Sequence, residues 1–104
     1  MVIYNKLVRD MIPDMIRAQG ETANIRILER NEYLQHLEAK LDEEVGEYHR
    51  DKNAEELADI LEVVYALAEA MGCTKEELLQ IYRKKHDARG GFEKRIFLIA
   101  KEEA

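Results

Sequence analysis

The chain has 104 residues, with 22 Asp plus Glu against 16 Lys plus Arg, one Cys, one Pro and no Trp. That length supports a single domain, residues 1–104, with one modest core. No apolar run approaches the ~18 residues of a membrane span. A net charge of -6 argues against general nucleic-acid binding.

Hydrophobic residues make up 46% of the chain and charged residues 37%, the latter well above the usual quarter or so. With so few Pro and Gly, that charge belongs on helix surfaces rather than in a disordered tail. MVIYNKLVRD lacks the apolar core of a secretory signal. One cysteine cannot form an internal disulfide, so the expected compartment is the reducing cytoplasm.

In chain order, Asp10-Met11-Ile12-Pro13 opens a short helix that tolerates Pro13 in its first turn and stops at Gly20. Ala23 to Leu28 partly alternates and reads as a short strand. Asn31 reads as an N-cap for a helix over 32–51, with Leu34, Leu37, Leu41, Val45 and Tyr48 in one stripe. Asn53 with Glu56 forms a capping-box signature for a second long helix that runs to Met71 and stops at Gly72. Thr74 with Glu77 repeats the signature, and a third long helix runs to about Arg89 before Gly90-Gly91. Phe92 to Ile99 suits a strand that could pair with residues 23–28. The expected fold is mainly α, a helical bundle with a small two-stranded β-ribbon as an optional addition.

Charge is uneven along this layout. Glu38 to Glu62 holds ten acidic and three basic residues, whereas Gln80 to Lys101 holds seven basic and two acidic. Such runs are ordinarily solvated helix faces. Their juxtaposition also suits acid holding a cation and base holding the anion that the cation binds.

The sharpest feature is Glu43-Glu44-Val45-Gly46-Glu47 on one helix and Glu56-Leu57-Ala58-Asp59 on the next. Glu44 with Glu47, and Glu56 with Asp59, are i,i+3 pairs that share a face. Glu44 borders the apolar stripe, while Asp42 and Glu43 point away. From Ile60 to Met71 the helix is apolar almost all round, with Glu62 and Glu69 on one narrow line. Such a helix is buried on nearly every side. One small subunit has too few other helices to cover it, which points to a second subunit.

Two short-looped antiparallel helices would bring both carboxylate pairs together. Four such groups cannot all stay ionised in a covered place unless something positive joins them. The hard cations Mg²⁺ and Mn²⁺ are natural partners. Of the nearby bases Lys40, Arg50 and Lys52, none lies inside the pattern. Capping by Glu56 and surface charge at Glu43 and Glu47 are the competing explanations. Asp59 fits neither well, because Asp is a mediocre helix former set in an apolar helix.

At these residues the sequence resembles the MazG-like all-α nucleoside triphosphate pyrophosphohydrolase superfamily. Its E-E-x-x-E and E-x-x-D signature reads here as Glu43-Glu44-x-x-Glu47 and Glu56-x-x-Asp59. YNKLVRDMIP and RGGFEKRIFL look like its phosphoribosyl-ATP pyrophosphohydrolase-like branch. The resemblance implies that Glu44, Glu47, Glu56 and Asp59 ligate Mg²⁺. It further implies Mg²⁺-dependent attack of water between the α- and β-phosphates of a nucleotide, giving the monophosphate and pyrophosphate. Only eight residues, 48 to 55, separate the motif halves, fewer than is usual in the superfamily, so the connecting loop must be tight.

Phosphoryl chemistry needs charge neutralisation and alignment more than a covalent catalyst. Cys73 reads as a boundary residue, and His36, His49 and His86 lack metal-ligand spacing. Gly90-Gly91-Phe92 is no phosphate-binding loop of the Lys-Ser/Thr type. Lys85 and Arg89, i,i+4 at the end of the third helix, are candidate triphosphate contacts, as are Lys6 and Arg9 in the opening segment. Complementing the negative helix end accounts for Lys85 and Arg89 about equally well.

The expectation is therefore an Mg²⁺-dependent nucleotide pyrophosphohydrolase, homodimeric or homotetrameric. Phosphoribosyl-ATP hydrolysis in histidine biosynthesis is the alternative enzyme. A non-catalytic helical dimer that binds a nucleotide or another partner is the alternative of another class.

Overall fold

Chain direction is set by a few local devices. Asn53 sits in extended backbone and its Oδ1 accepts the Glu56 N–H at 3.0 Å, and Thr74 Oγ1 does the same for Glu77 at 3.1 Å. Each cap satisfies one of the orphan donors at a helix start. In a computed structural model that describes residues 1–103, the elements are α1 (Ile12–Ala18), α2 (Arg30–Asp51), α3 (Ala54–Ala70) and α4 (Lys75–Arg89). The mainly α expectation holds.

Pro13 lies in the first turn of α1, and Gly20 (φ +85°) takes the left-handed conformation just beyond it. Gly72 (φ +87°) does the same after α3. Among the described residues no helix is long and apolar enough to cross a membrane.

Two expectations need correction. Asn31 is not the N-cap of α2. The helix starts at Arg30, and Glu29 precedes it in extended backbone with no side-chain cap bond. Arg30 donates to the Ala70 carbonyl at 2.9 Å, which fastens the start of α2 to the end of α3, and the helix begins two residues earlier than the sequence suggested.

The β-ribbon is also absent, since no strand occurs among the described residues. Residues 23–28 lead into α2, while 92–99 follow an α4 that packs only against α3. The two segments are not brought together, and an isolated two-stranded pair is marginal in any case.

The core is the seam between α2 and α3, antiparallel helices joined by Lys52 and Asn53 alone. Leu37, Val63 and Ala68 are its buried apolar residues, with Leu34, Leu41, Val45 and Tyr48 half-buried. Lys52 adopts left-handed backbone (φ 49°), and its N–H bonds the Tyr48 carbonyl at 2.7 Å. This two-residue reversal is the tight loop that the motif spacing requires. It sets the last turns of α2 against the first turns of α3.

Much of α3 remains open. Leu57 is 50% exposed and Leu61 48%, so the chain alone does not enclose this helix. The Cα radius of gyration is 18.6 Å, against about 13 Å for a compact chain of this length.

Candidate metal centre

The α2–α3 reversal brings Glu44 and Glu47 opposite Glu56 and Asp59. One carboxylate oxygen from each of the four lies within 4.8 Å of the others. Glu44 is buried and the other three are half-buried. The Oε2 atoms of Glu44 and Glu56 are both enclosed and have no hydrogen-bond partner. A buried oxygen left unpaired is costly.

Electrostatics separate this cluster from the neighbouring acid. Burial pushes the Glu44 carboxyl above its ordinary value, and the hydrogen bond and charge of Glu47 push it further, against a partial offset from Lys40. Glu56 is likewise raised, first by desolvation and then by the charges of Glu47, Asp51 and Asp59. Glu43, one residue from Glu44, moves the other way, because Lys6 bonds it at 2.8 Å and Lys40 lies at 3.5 Å. Glu43 is thus held ionised outside the cluster, whereas Lys40 offsets the burial of Glu44 only in part and Glu56 has no ion-pair partner among the described residues.

Two cations approach the cluster: Lys40, which the sequence placed outside the pattern, and Arg9, which it offered only as a phosphate contact. Lys40 Nζ stands 3.6 Å from Glu44 Oε1, an i,i+4 pair along α2 whose spacing was readable. Arg9 Nη1 donates to Asp59 Oδ1 at 3.1 Å, and Nη2 reaches Glu62 Oε1 at 3.3 Å. Fifty residues separate Arg9 from Asp59, so no local pattern could reveal that pair.

Lys6 and Arg9 therefore rest on carboxylates at the rim. Lys85 and Arg89 are exposed on the outer half of α4 and form no ion pair among the described residues. They are not brought to the cluster of their own chain. Arg9 and Lys40 also wall a cleft of about 400 Å³, together with Leu7, with Tyr33 of α2 and with Glu62, Tyr65 and Glu69 of α3, whereas none of the four carboxylates lines it. The narrow line of Glu62 and Glu69 faces this cleft.

The donor set fits a hard divalent cation. It consists of carboxylate oxygens alone, converging on one point, and two of the residues hold an enclosed oxygen without a partner. Glu44, Glu47, Glu56 and Asp59 are the residues that could hold it.

Comparison with known proteins adds a limited relationship. No protein-family profile and no solved structure matches the chain. A stretch of 42 residues, 40% of the chain, is 60% identical to an uncharacterized protein of Mycolicibacterium smegmatis. The matched stretch spans 43% of that relative's length.

Proposed function

We propose that the protein is a divalent-metal-dependent nucleotide pyrophosphohydrolase. It would cleave a nucleoside triphosphate or a related nucleotide between the α- and β-phosphates. The observation that carries the reading is the convergence of four carboxylates within 4.8 Å, with Glu44 and Glu56 each keeping an unpartnered, enclosed oxygen. The likeness of the motif to the MazG-like superfamily supports the same assignment.

A bound Mg²⁺ or Mn²⁺ ion supplies neutralisation of phosphate charge and acidification of a water. The protein's own residues do the rest. Glu44, Glu47, Glu56 and Asp59 would fix the position of positive charge next to Arg9 and Lys40, which also wall the cleft. Lys40 and Arg9 already stand beside those carboxylates and can turn toward phosphate oxygens. The oxygen of a water that has given up a proton bonds to the α-phosphorus, the bond from the α-phosphorus to the bridging oxygen breaks, and pyrophosphate leaves with that oxygen and the electron pair. At about 400 Å³ the cleft falls within the usual size of small-molecule sites, and Tyr33 and Tyr65 give it aromatic surface.

The assembly in this reading is a homodimer or homotetramer, in keeping with the open sides of α3. A lone cysteine suits the reducing cytoplasm. The test is pyrophosphate release with Mg²⁺ present and absent, across canonical and modified nucleoside triphosphates and phosphoribosyl-ATP. Metal-dependent release on any of them supports hydrolysis and names the substrate. Silence on all of them favours a non-catalytic nucleotide-binding dimer.

A further inference from the structure

The cations that ought to meet a phosphate chain are in the wrong place for their own carboxylates. α4 leaves from the end of α3 remote from Glu56 and Asp59, about 16 Å along the axis at 1.5 Å per residue. It packs against α3 and no other helix. From Gln80 onward every described residue is exposed. Arg83, Lys84, Lys85, Arg89, Lys94 and Arg95 form no ion pair among the described residues. Lys6, Arg9 and Lys40, by contrast, are already engaged by carboxylates.

The same segment is also conspicuously apolar. Phe92 is 97% exposed, Phe97 87% and Ile99 90%. Side chains of this size and exposure are not stable ornaments of a free surface. Together with Leu57 and Leu61 on open α3, they offer area on the scale of the ~800 Å² per partner that a stable interface buries. The occupant must therefore be apolar where the arm is apolar and acidic where the arm is basic. The α2–α3 pair of this chain meets both conditions, with exposed leucines on α3 and ten acidic residues against three basic from Glu38 to Glu62.

We infer that the segment from Gln80 to Ile99 is an arm exchanged between two copies of the chain. Its apolar residues cover α3 of the other copy, and Arg89, Lys94 and Arg95 stand beside that copy's carboxylate cluster. This inference rests on the hydrolase reading only for what the cations do, namely hold the phosphate chain of a substrate bound to the other copy. The docking itself is independent of it. The extended shape, 67 Å along its longest axis, is what a protomer missing its partner looks like.

Sedimentation tests the docking without reference to activity. The wild type should be dimeric or larger. The full chain carrying Phe92→Asp and Phe97→Asp should be monomeric with unchanged helical circular dichroism, because neither side chain contributes to the single-chain core. A monomeric wild type, or a variant that assembles as the wild type does, would overturn the exchange.

Mixing tests the shared site. Asp59→Asn and the triple variant Arg89→Ala, Lys94→Ala, Arg95→Ala should each be impaired in pyrophosphate release. Co-refolded at equal amounts they should regain about a quarter of wild-type activity, since half the dimers are mixed and each mixed dimer holds one intact site. No recovery from an active wild type, or full activity in the triple variant, would sink the contribution across the interface. A wild type that dimerises through the arm but hydrolyses nothing would retire the hydrolase reading and leave the arm in place.

Discussion

Arg9 pairs with Asp59 at 3.1 Å and closes one side of the carboxylate cluster with a guanidinium. The pair is partly exposed, 61% at the arginine side chain and 39% at the aspartate, so it is a modest bond that a divalent ion can displace. In the proposed metal-bound state Arg9 would give up Asp59 and turn toward the cleft, so without metal it competes for one proposed ligand.

Arg9→Ala should accordingly tighten Mn²⁺ binding, by up to about fivefold for an exposed pair worth at most ~1 kcal/mol. Titration of the metal alone, followed by calorimetry or electron paramagnetic resonance, reads this without any substrate. Weaker binding in the variant would mean that Arg9 supports the ligand geometry instead of opposing the ion.

Removing a ligand should act far more strongly. Second-shell partners of metal ligands cost 10–100-fold, so Glu47→Gln and Asp59→Asn should each lower pyrophosphate release by at least ~100-fold. Neither residue belongs to the apolar seam of Leu37 and Val63, and helical circular dichroism should be retained. Full activity in either variant rejects the ligand assignment.

The motif and its tight loop were legible because they depend on spacing within one helix or across one short connection. Glu44 with Glu47 and Glu56 with Asp59 follow from helical periodicity, and the Asn53 and Thr74 caps follow from side-chain chemistry. Arg9 on Asp59 was not legible as a contact, because a fifty-residue separation is closed only by tertiary packing. The expected ribbon failed for a related reason. Residues 23–28 and 92–99 carry strand-like patterns, yet the course of α4 decides whether they ever meet. Asn31 misled because a cap preference of a few tenths to ~2 kcal/mol yields easily to a tertiary anchor such as Arg30 on the Ala70 carbonyl.

The raised carboxyls predict a specific pH response. Glu44 and Glu56 hold protons more tightly folded than unfolded, where the ordinary value is 4.5. Their contribution is fully present below that value and is lost as pH rises through the raised folded values. Glu44→Gln cannot ionise, so without metal its stability should gain on the wild type as pH rises from 4.5 toward neutrality. Urea unfolding in EDTA at several pH values measures the gap. Added Mg²⁺ should narrow or reverse it at neutral pH by favouring the ionised wild type. A gap that stays constant with pH would show that Glu44 does not titrate in this range.

The reversal that assembles the cluster carries strain at Lys52, the left-handed residue between α2 and α3. A side chain with a Cβ pays ~1–2 kcal/mol for that backbone conformation. The Lys52 ammonium lies 5.8 Å from the centroid of the Tyr48 ring, an exposed contact worth ~0.5–1 kcal/mol. Lys52→Ala keeps the Cβ strain and loses the ring contact, so it should destabilise by roughly that smaller amount. Lys52→Gly loses the same contact but relieves the strain, and should be more stable than Lys52→Ala by about 1 kcal/mol. Urea midpoints of the two variants decide it, and glycine no better than alanine would place the turn outside the left-handed region in solution. Because Lys52 is no ligand, Mn²⁺ affinity should follow neither substitution by more than the turn's own tightening allows. A large loss of affinity in Lys52→Gly alone would mean that the strained reversal is what holds Glu47 and Glu56 at binding distance.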